Sequence, residues 1–227
     1  MNHSERKDLV NYLKEFATEA RWDKFVEVAK QRTRYISVVV EDIYQSHNAS
    51  AVLRSCDGFG IQDVHIIENQ NNFDASSQVT IGADQWLTLH RYNEPGMDNT
   101  EACFSKLKKE GYRIIATTPH ENDTNLNDLD LNQKTALVFG SEIDGISERA
   151  KELADGFLKI PMAGFSESFN ISVSAAICLY NITRRLRASS IDWMLTTEEI
   201  DHLTYNWLKK SIKAGDQLER NFLKQKN

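Results

Sequence analysis

The sequence predicts an α/β fold: a mostly parallel sheet flanked by helices. Three observations carry that expectation. Short runs of β-branched and other apolar residues recur along the chain, and segments with helical spacing separate many of them. Two of the runs also lead into polar loops rich in Gly and Ser, each followed by a helix with a capping residue in place.

Taken in order, Leu9, Leu13, Phe16 and Ala20, then Phe25, Val28 and Ala29, recur at helical spacing and predict one or two N-terminal helices. YISVVV (35–40) is the strongest strand candidate, because β-branched side chains suit a pleated, buried surface. A helix follows, with Asn48 as its expected N-cap and Gly58 and Gly60 as its stop. VHII (64–67), WLTLHRY (86–92), YRIIATT (112–118), TALVF (135–139) and FLKIP (157–161) read as further strands. A helix near 100–110 precedes the fourth strand, and a long one from Ile171 to Arg187 follows the last. Thr196-Thr197-Glu198-Glu199 has the pattern of a reciprocal capping box, and Ile200, Leu203, Trp207 and Leu208 give the helix it opens one apolar face. The expected organisation is a core over residues 32–187 with helical extensions at 1–31 and 188–227.

Composition excludes several classes. The 227 residues can bury a sizeable core. No N-terminal segment resembles a signal peptide and no run approaches the ~20 apolar residues of a membrane helix, so a cytoplasmic location with no membrane partner is expected. Cys56, Cys103 and Cys178 are scattered, without CxxC or histidines at ligand spacing, and read as buried thiols with no metal site. Sequons at Asn48, Asn122, Asn170 and Asn181 carry no weight without a secretory route. The net charge of −6 divides into +2 over residues 1–34, +4 over 203–227 and −12 between them. A protein basic throughout is thereby excluded. The ends are left with two readings, a local phosphate-binding footprint or ordinary solvated helix faces.

The loops carry the chemistry. ALVF runs into GSEIDGIS (140–147), where Ser147 can cap the next helix, and FLKIP runs into MAGFSESFN (162–170), where Asn170 can cap the helix from Ile171. Loops at the ends of neighbouring strands rim the crevice where open α/β sheets bind ligands. Phosphate-binding patterns do not account for them. Ile146 stands where a P-loop needs lysine, and Gly58-Phe59-Gly60 lacks the third glycine of a dinucleotide fingerprint and follows a helix. A third constellation runs from His47 to Gly60. Arg54 falls there in a helix of small and apolar residues, which implies an anionic partner: a carboxylate such as Asp57, or a phosphate.

Together these segments resemble the SPOUT superfamily of knotted methyltransferases, and within it the TrmH-type RNA ribose 2′-O-methyltransferases. Asn48, Ala51, Arg54, Phe59 and Gly60 match the first motif; Gly140, Glu142 and Gly145 the second; Ile160, Pro161, Met162, Gly164, Ser168, Asn170 and Ser172 the third. The resemblance covers residues 32–187 in the family's order. It implies a C-terminal trefoil knot and a homodimer with its active site at the interface. It also implies S-adenosyl-L-methionine as cofactor, held by Thr117, Gly140, Ile160, Met162 and Phe169. For catalysis it assigns Arg54 to the ribose 2′-hydroxyl, Ser168 and Asn170 to the shape of the site, and Asn48 to the arginine's loop. A guanidinium is too weak an acid to serve readily as a base, so Arg54 is expected to hold a phosphate and stabilise developing negative charge. Phe169 and Ser46 depart from the family's usual leucine and proline without removing a functional group. The short ends resemble the branch that methylates a D-loop guanosine of tRNA, with 23S rRNA as the alternative RNA. A knotted RNA-binding protein without turnover, or another adenosine-cofactor enzyme, are the competing classes.

Overall fold

The computed structural model describes residues 3–73, 80, 82–119, 123–141 and 144–226; Glu142 of the second motif and Asn122 of the sequons lie outside them. The chain forms two compact units, Thr33–Trp193 and a second made from both ends, Met1–Arg32 with Met194–Asn227.

Among the described residues the larger unit has seven strands: β1 (Ile36–Glu41), β2 (Asp63–Ile67), β3 (Thr88–Tyr92), β4 (Arg113–Thr117), β5 (Thr124–Asn125), β6 (Thr135–Phe139) and β7 (Gly156–Lys159). They lie in the order β3-β2-β1-β6-β4-β7-β5, and every pairing between neighbours is parallel. A parallel sheet buries both faces, and β1 shows how its sequence meets that demand. Ile36, Val38 and Val40 enter one apolar cluster with residues of α3 (Ser46–Phe59) and α6 (Ile171–Arg187), while Val39 enters another with residues of α4 (Asn99–Lys109) and α5 (Glu148–Leu153). α3 stops at Gly60, whose φ of 81° is the left-handed conformation that glycine adopts without strain. Its start corrects the sequence expectation. The helix begins at Ser46 after Gln45, so Asn48 sits inside the first turn and is not the N-cap. Its amide is engaged elsewhere.

In the smaller unit, α1 (His3–Lys14) and α2 (Glu19–Ala29) bury Leu9, Leu13, Phe25 and Ala29, while α7 (Thr197–Ser211) buries Leu203, Trp207 and Leu208. The Phe25 and Trp207 rings lie 6.0 Å apart, which joins the apolar faces of the two ends. Thr196 and Glu199 form the reciprocal cap that the sequence predicts for α7. Phe16 is half-exposed, because α1 ends two residues before it and the expected apolar face stops there. A last helix, α8 (Gly215–Lys226), completes the unit. Among the described residues no helix is long and apolar enough to cross a membrane.

Candidate active site at the strand ends

Three neighbouring strands, β6, β4 and β7, end on the same edge of the sheet. Ala116 pairs with Val138 and Thr117 with Leu158, so Thr117, Gly140 and Ile160 emerge side by side at the carboxyl ends of their strands. Thr117 donates its hydroxyl to the Val138 carbonyl at 2.9 Å, which ties β4 to β6 just before the second motif begins. At Gly140 the backbone has no room for a side chain: a Cβ would lie 2.0 Å from the Gly145 carbonyl oxygen. Gly145 itself has a φ of 69°, and it exchanges two backbone hydrogen bonds with Ser141, of 2.9 and 3.1 Å. The two glycines therefore do different work, one permitting close approach and one permitting the left-handed turn. Ser147 then caps α5 by accepting from the Ala150 N–H at 3.0 Å. After β7, Ile160 and Met162 are half-buried, whereas residues 163–169, including Phe165, Ser168 and Phe169, are exposed.

The first and third motifs meet through side-chain amides. Asn170 caps α6, its Oδ1 accepting from the Ser172 N–H at 2.8 Å and from the Ser172 hydroxyl at 2.6 Å. Its Nδ2 is then fixed in direction, and it donates to Asn48 Oδ1 at 3.1 Å across 122 residues of sequence. Asn48, only 2% exposed, donates in turn to Gln45 Oε1 at 3.2 Å. A buried amide is costly unless its groups are paired, so this chain sets the start of α6 against the start of α3. Arg54 lies six residues beyond Asn48, which turns it about 120° around the helix axis, and it is exposed. One helix thus presents Asn48 inward to Asn170 and Arg54 outward.

An acid pair at the end of β1 belongs to the same edge, and the sequence reading missed it. Glu41 is buried, and its carboxylate accepts from the Thr100 hydroxyl at 2.8 Å, the Ser147 hydroxyl at 2.8 Å and the Ser147 N–H at 3.1 Å. Asp42 has a φ of 51°, unusual for a residue with a side chain, and its Oδ1 accepts from three successive backbone N–H groups at Asn69, Gln70 and Asn71. Glu41 thus holds the end of the second-motif loop and Asp42 the start of the β2–β3 loop. Two adjacent acids after a buried apolar strand were the available signal, since such charges need partners.

The arginines at the basic end of α6 differ in their surroundings. Arg185 donates to the Leu126 carbonyl at 3.0 Å and to the Leu129 carbonyl, and Arg187 donates to the Phe59 carbonyl at 3.0 Å while lying over the Trp193 ring. Arg184 is exposed. The three cysteines are buried thiols outside any disulfide, and burial pushes the Cys178 thiol up to about 12. Among the described residues no group of three His, Cys, Asp or Glu side chains could hold a metal ion.

The sequence profile of the SpoU rRNA Methylase family matches residues 35–180, which span all three motifs. The chain belongs to the SpoU methylase family. A "tRNA (guanosine(18)-2′-O)-methyltransferase" of Borreliella burgdorferi is 38% identical over 92% of this chain and 94% of its own length. A Thermus thermophilus protein of the same name is 33% identical over 85% of this chain and 98% of its own length. Among solved structures, the "A. aeolicus TrmH/SpoU tRNA modifying enzyme" superposes with a TM-score of 0.75 at 27% identity, covering 86% of this chain and 98% of that one. Both relatives and the solved structure reach beyond the family match at 35–180, so the similarity includes parts of the chain ends.

Proposed function

We propose that this member of the SpoU methylase family transfers a methyl group from S-adenosyl-L-methionine to the ribose 2′-hydroxyl of a nucleotide in structured RNA, most specifically a D-loop guanosine of tRNA. The observation that carries the reading is the hydrogen bond from Asn170 to Asn48, which joins the first and third motifs at the edge where Thr117, Gly140 and Ile160 emerge. The names of the relatives support tRNA over the alternative, 23S rRNA. A trefoil knot in the C-terminal part of the core, a homodimer and action in the cytoplasm belong to the same proposal.

The residues present fit the cofactor. An adenosine needs an apolar slot edged by backbone donors and acceptors, and Ile160 and Met162 are half-buried side chains on the loop that leaves β7, beside the ends of the parallel strands β4 and β6. Thr117, Gly140, Ile160, Met162 and Phe169 are the residues proposed to hold it. Bound there, it supplies a methyl group on a sulfonium, already a reactive donor. The remaining task falls to the chain: to bring the ribose oxygen in line and favour loss of its proton. Arg54, exposed and permanently charged, is proposed to hold the adjacent phosphate and stabilise the developing alkoxide. Ser168 and Asn170 shape the ribose pocket, and Asn48 acts through Asn170. Arg184, with its neighbours Arg185 and Arg187 committed to carbonyls, is the α6 arginine proposed to meet the RNA backbone.

The test is methyl transfer from labelled cofactor to total tRNA and rRNA from a strain lacking the protein, with the labelled nucleotide mapped. Label is expected in tRNA at one D-loop ribose; label in neither pool overturns the enzymatic reading. In the same assay Arg54→Ala should lower kcat by about 10²–10³-fold, the loss seen when one charge-stabilising donor is removed, and Arg54→Lys should keep measurable turnover. If the wild-type pH–rate profile shows a group titrating near neutrality that disappears in Arg54→Ala, the electrostatic role is wrong.

A further inference from the structure

The helical unit contains a groove of about 270 Å³ that the proposed transfer does not use. α1 lines it with Arg6, Lys7 and Lys14, α2 with Trp22, and α7 with Asp201. Three cations therefore face one carboxylate, a local positive excess in a chain whose net charge is −6. The Lys14 ammonium stands 4.7 Å from the centre of the Trp22 ring, so charge and aromatic surface are presented together. Arg6 Nε is buried, and among the described residues no acceptor reaches it. A buried donor without an acceptor is destabilising, and an anion entering the groove is one partner that could supply the acceptor. The groove lies near the lower end of small-ligand pockets, which begin at about 300 Å³.

We propose that this groove binds one RNA nucleotide, its phosphate held by Arg6, Lys7 and Lys14 and its base packed against Trp22. An acidic peptide would satisfy the cations but would leave the indole without a planar partner. Phosphate and base together use the three cations and the indole. The assignment rests on the methyltransferase reading only for the source of the nucleotide, since a free mononucleotide offers the same chemistry. It also gives the two chain ends a shared task, because the groove takes its walls from both.

Binding of an unmodified tRNA transcript to the full-length protein, measured by filter retention across a salt series, tests the proposal. Lys14→Glu should weaken binding at least about tenfold at low salt and reduce the salt slope by about one, the signature of a lost phosphate contact. Trp22→Leu should weaken it by about 5- to 100-fold, in the range of a lost base-stacking contact, with the salt slope kept. S-adenosyl-L-methionine affinity, measured by calorimetry, should be unchanged in both. Unaltered RNA affinity and slope in Lys14→Glu and in Arg6→Gln overturn the proposal. So does poly-glutamate binding that Lys14→Glu abolishes while RNA affinity stays intact. AMP binding that Lys14→Glu abolishes, with the tRNA affinity and salt slope of that variant unaltered, would assign the groove to free nucleotides instead of RNA. If a variant fails to fold, photocrosslinking of wild type to the transcript decides: a crosslink in the peptide containing Trp22 supports the groove, and its absence there rejects it. Because binding is read without turnover, a protein that grips tRNA through this groove yet methylates nothing would sink the enzymatic reading and leave this one standing.

Discussion

Residue by residue, the site depends on positions whose role is set by space more than by chemistry. Gly140 and Gly58 both belong to the family-like segments, yet a methyl group added to each meets opposite surroundings. At Gly140 it collides with the Gly145 carbonyl and the Ile146 nitrogen, backbone atoms that cannot swing aside. At Gly58, inside α3, it meets nothing within 4 Å. Gly140→Ala should therefore open the second-motif loop, lowering stability by at least about 1–3 kcal/mol, as for an overpacked site, and abolishing cofactor binding. Gly58→Ala should raise stability, by less than the ~0.5–1 kcal/mol that a glycine in mid-helix costs, because Gly58 lies in the last turn of α3. Urea denaturation and calorimetry with the cofactor check both, and a Gly140→Ala protein of normal stability would refute the steric argument. Asn48 teaches a related lesson about what a sequence can tell. Its type and place suit an N-cap, and only the position of Asn170, 122 residues away, shows that its amide points across to another helix. Propensity describes a residue's neighbours in sequence, and this partner is not one of them.

At the scale of elements, legibility followed burial. β1, β6 and α6 are readable almost to the residue because a strand buried on both faces must be a continuous apolar run and because Asn170 and Arg187 mark the ends of a well-patterned helix. β5 has two residues, too few to show any period, and α8 has a weakly apolar sequence that gave no expectation. The polar face of β2 and β3 was equally hidden. There His65 is buried, stacks on His90 with ring centres 4.5 Å apart, and shares a 3.0 Å hydrogen bond with Tyr92, while Asp63 binds Arg34 at 2.7 Å and His90 at 2.9 Å. Burial, helped by His90 and Lys106 and opposed by Asp63, holds the His65 imidazole down at about 3 against an ordinary 6.5. Between those values the unfolded chain binds a proton that the folded chain excludes, so stability rises with pH across that window and is lost as pH falls below 6.5. The slope can reach about 1.4 kcal/mol per pH unit. Burial would raise the Asp63 carboxyl, but His90 and Arg34 together hold it below its usual range, so its contribution is lost at still lower pH. Urea midpoints measured from pH 7.5 down to pH 4.5 should fall steadily in wild type and more shallowly in His65→Gln. Equal slopes would show that His65 does not govern the acid sensitivity.

For the whole molecule, the question is what covers the apolar surface that the larger unit leaves exposed. Val173 and Tyr180 are 43% and 57% exposed, and at seven residues apart on α6 they lie on one face of the helix. Phe169, immediately before the Asn170 cap, is 41% exposed, and Phe59 meets the Tyr180 ring at 6.2 Å. Scattered surface apolar residues need no explanation, but a row of large ones beginning beside the proposed cofactor loop does. A second copy of the chain is the occupant proposed here, and it would bury the row while closing the site from one side. α6 is well suited to that role, since its opposite face is already packed with Ala175, Cys178, Leu179 and Ile182 and cannot repack to hide the row. Replacing Val173 and Tyr180 by glutamate should then yield a monomer in sedimentation equilibrium, with the melting temperature of the separated chain little changed by the substitutions themselves and methyl transfer lost. Neither residue is proposed to touch the cofactor, so loss of transfer together with loss of the dimer would mean that the active site needs both copies. A wild-type protein that sediments as a monomer at micromolar concentration, yet methylates RNA at full rate, would remove the dimer from the mechanism and leave the apolar row to the RNA.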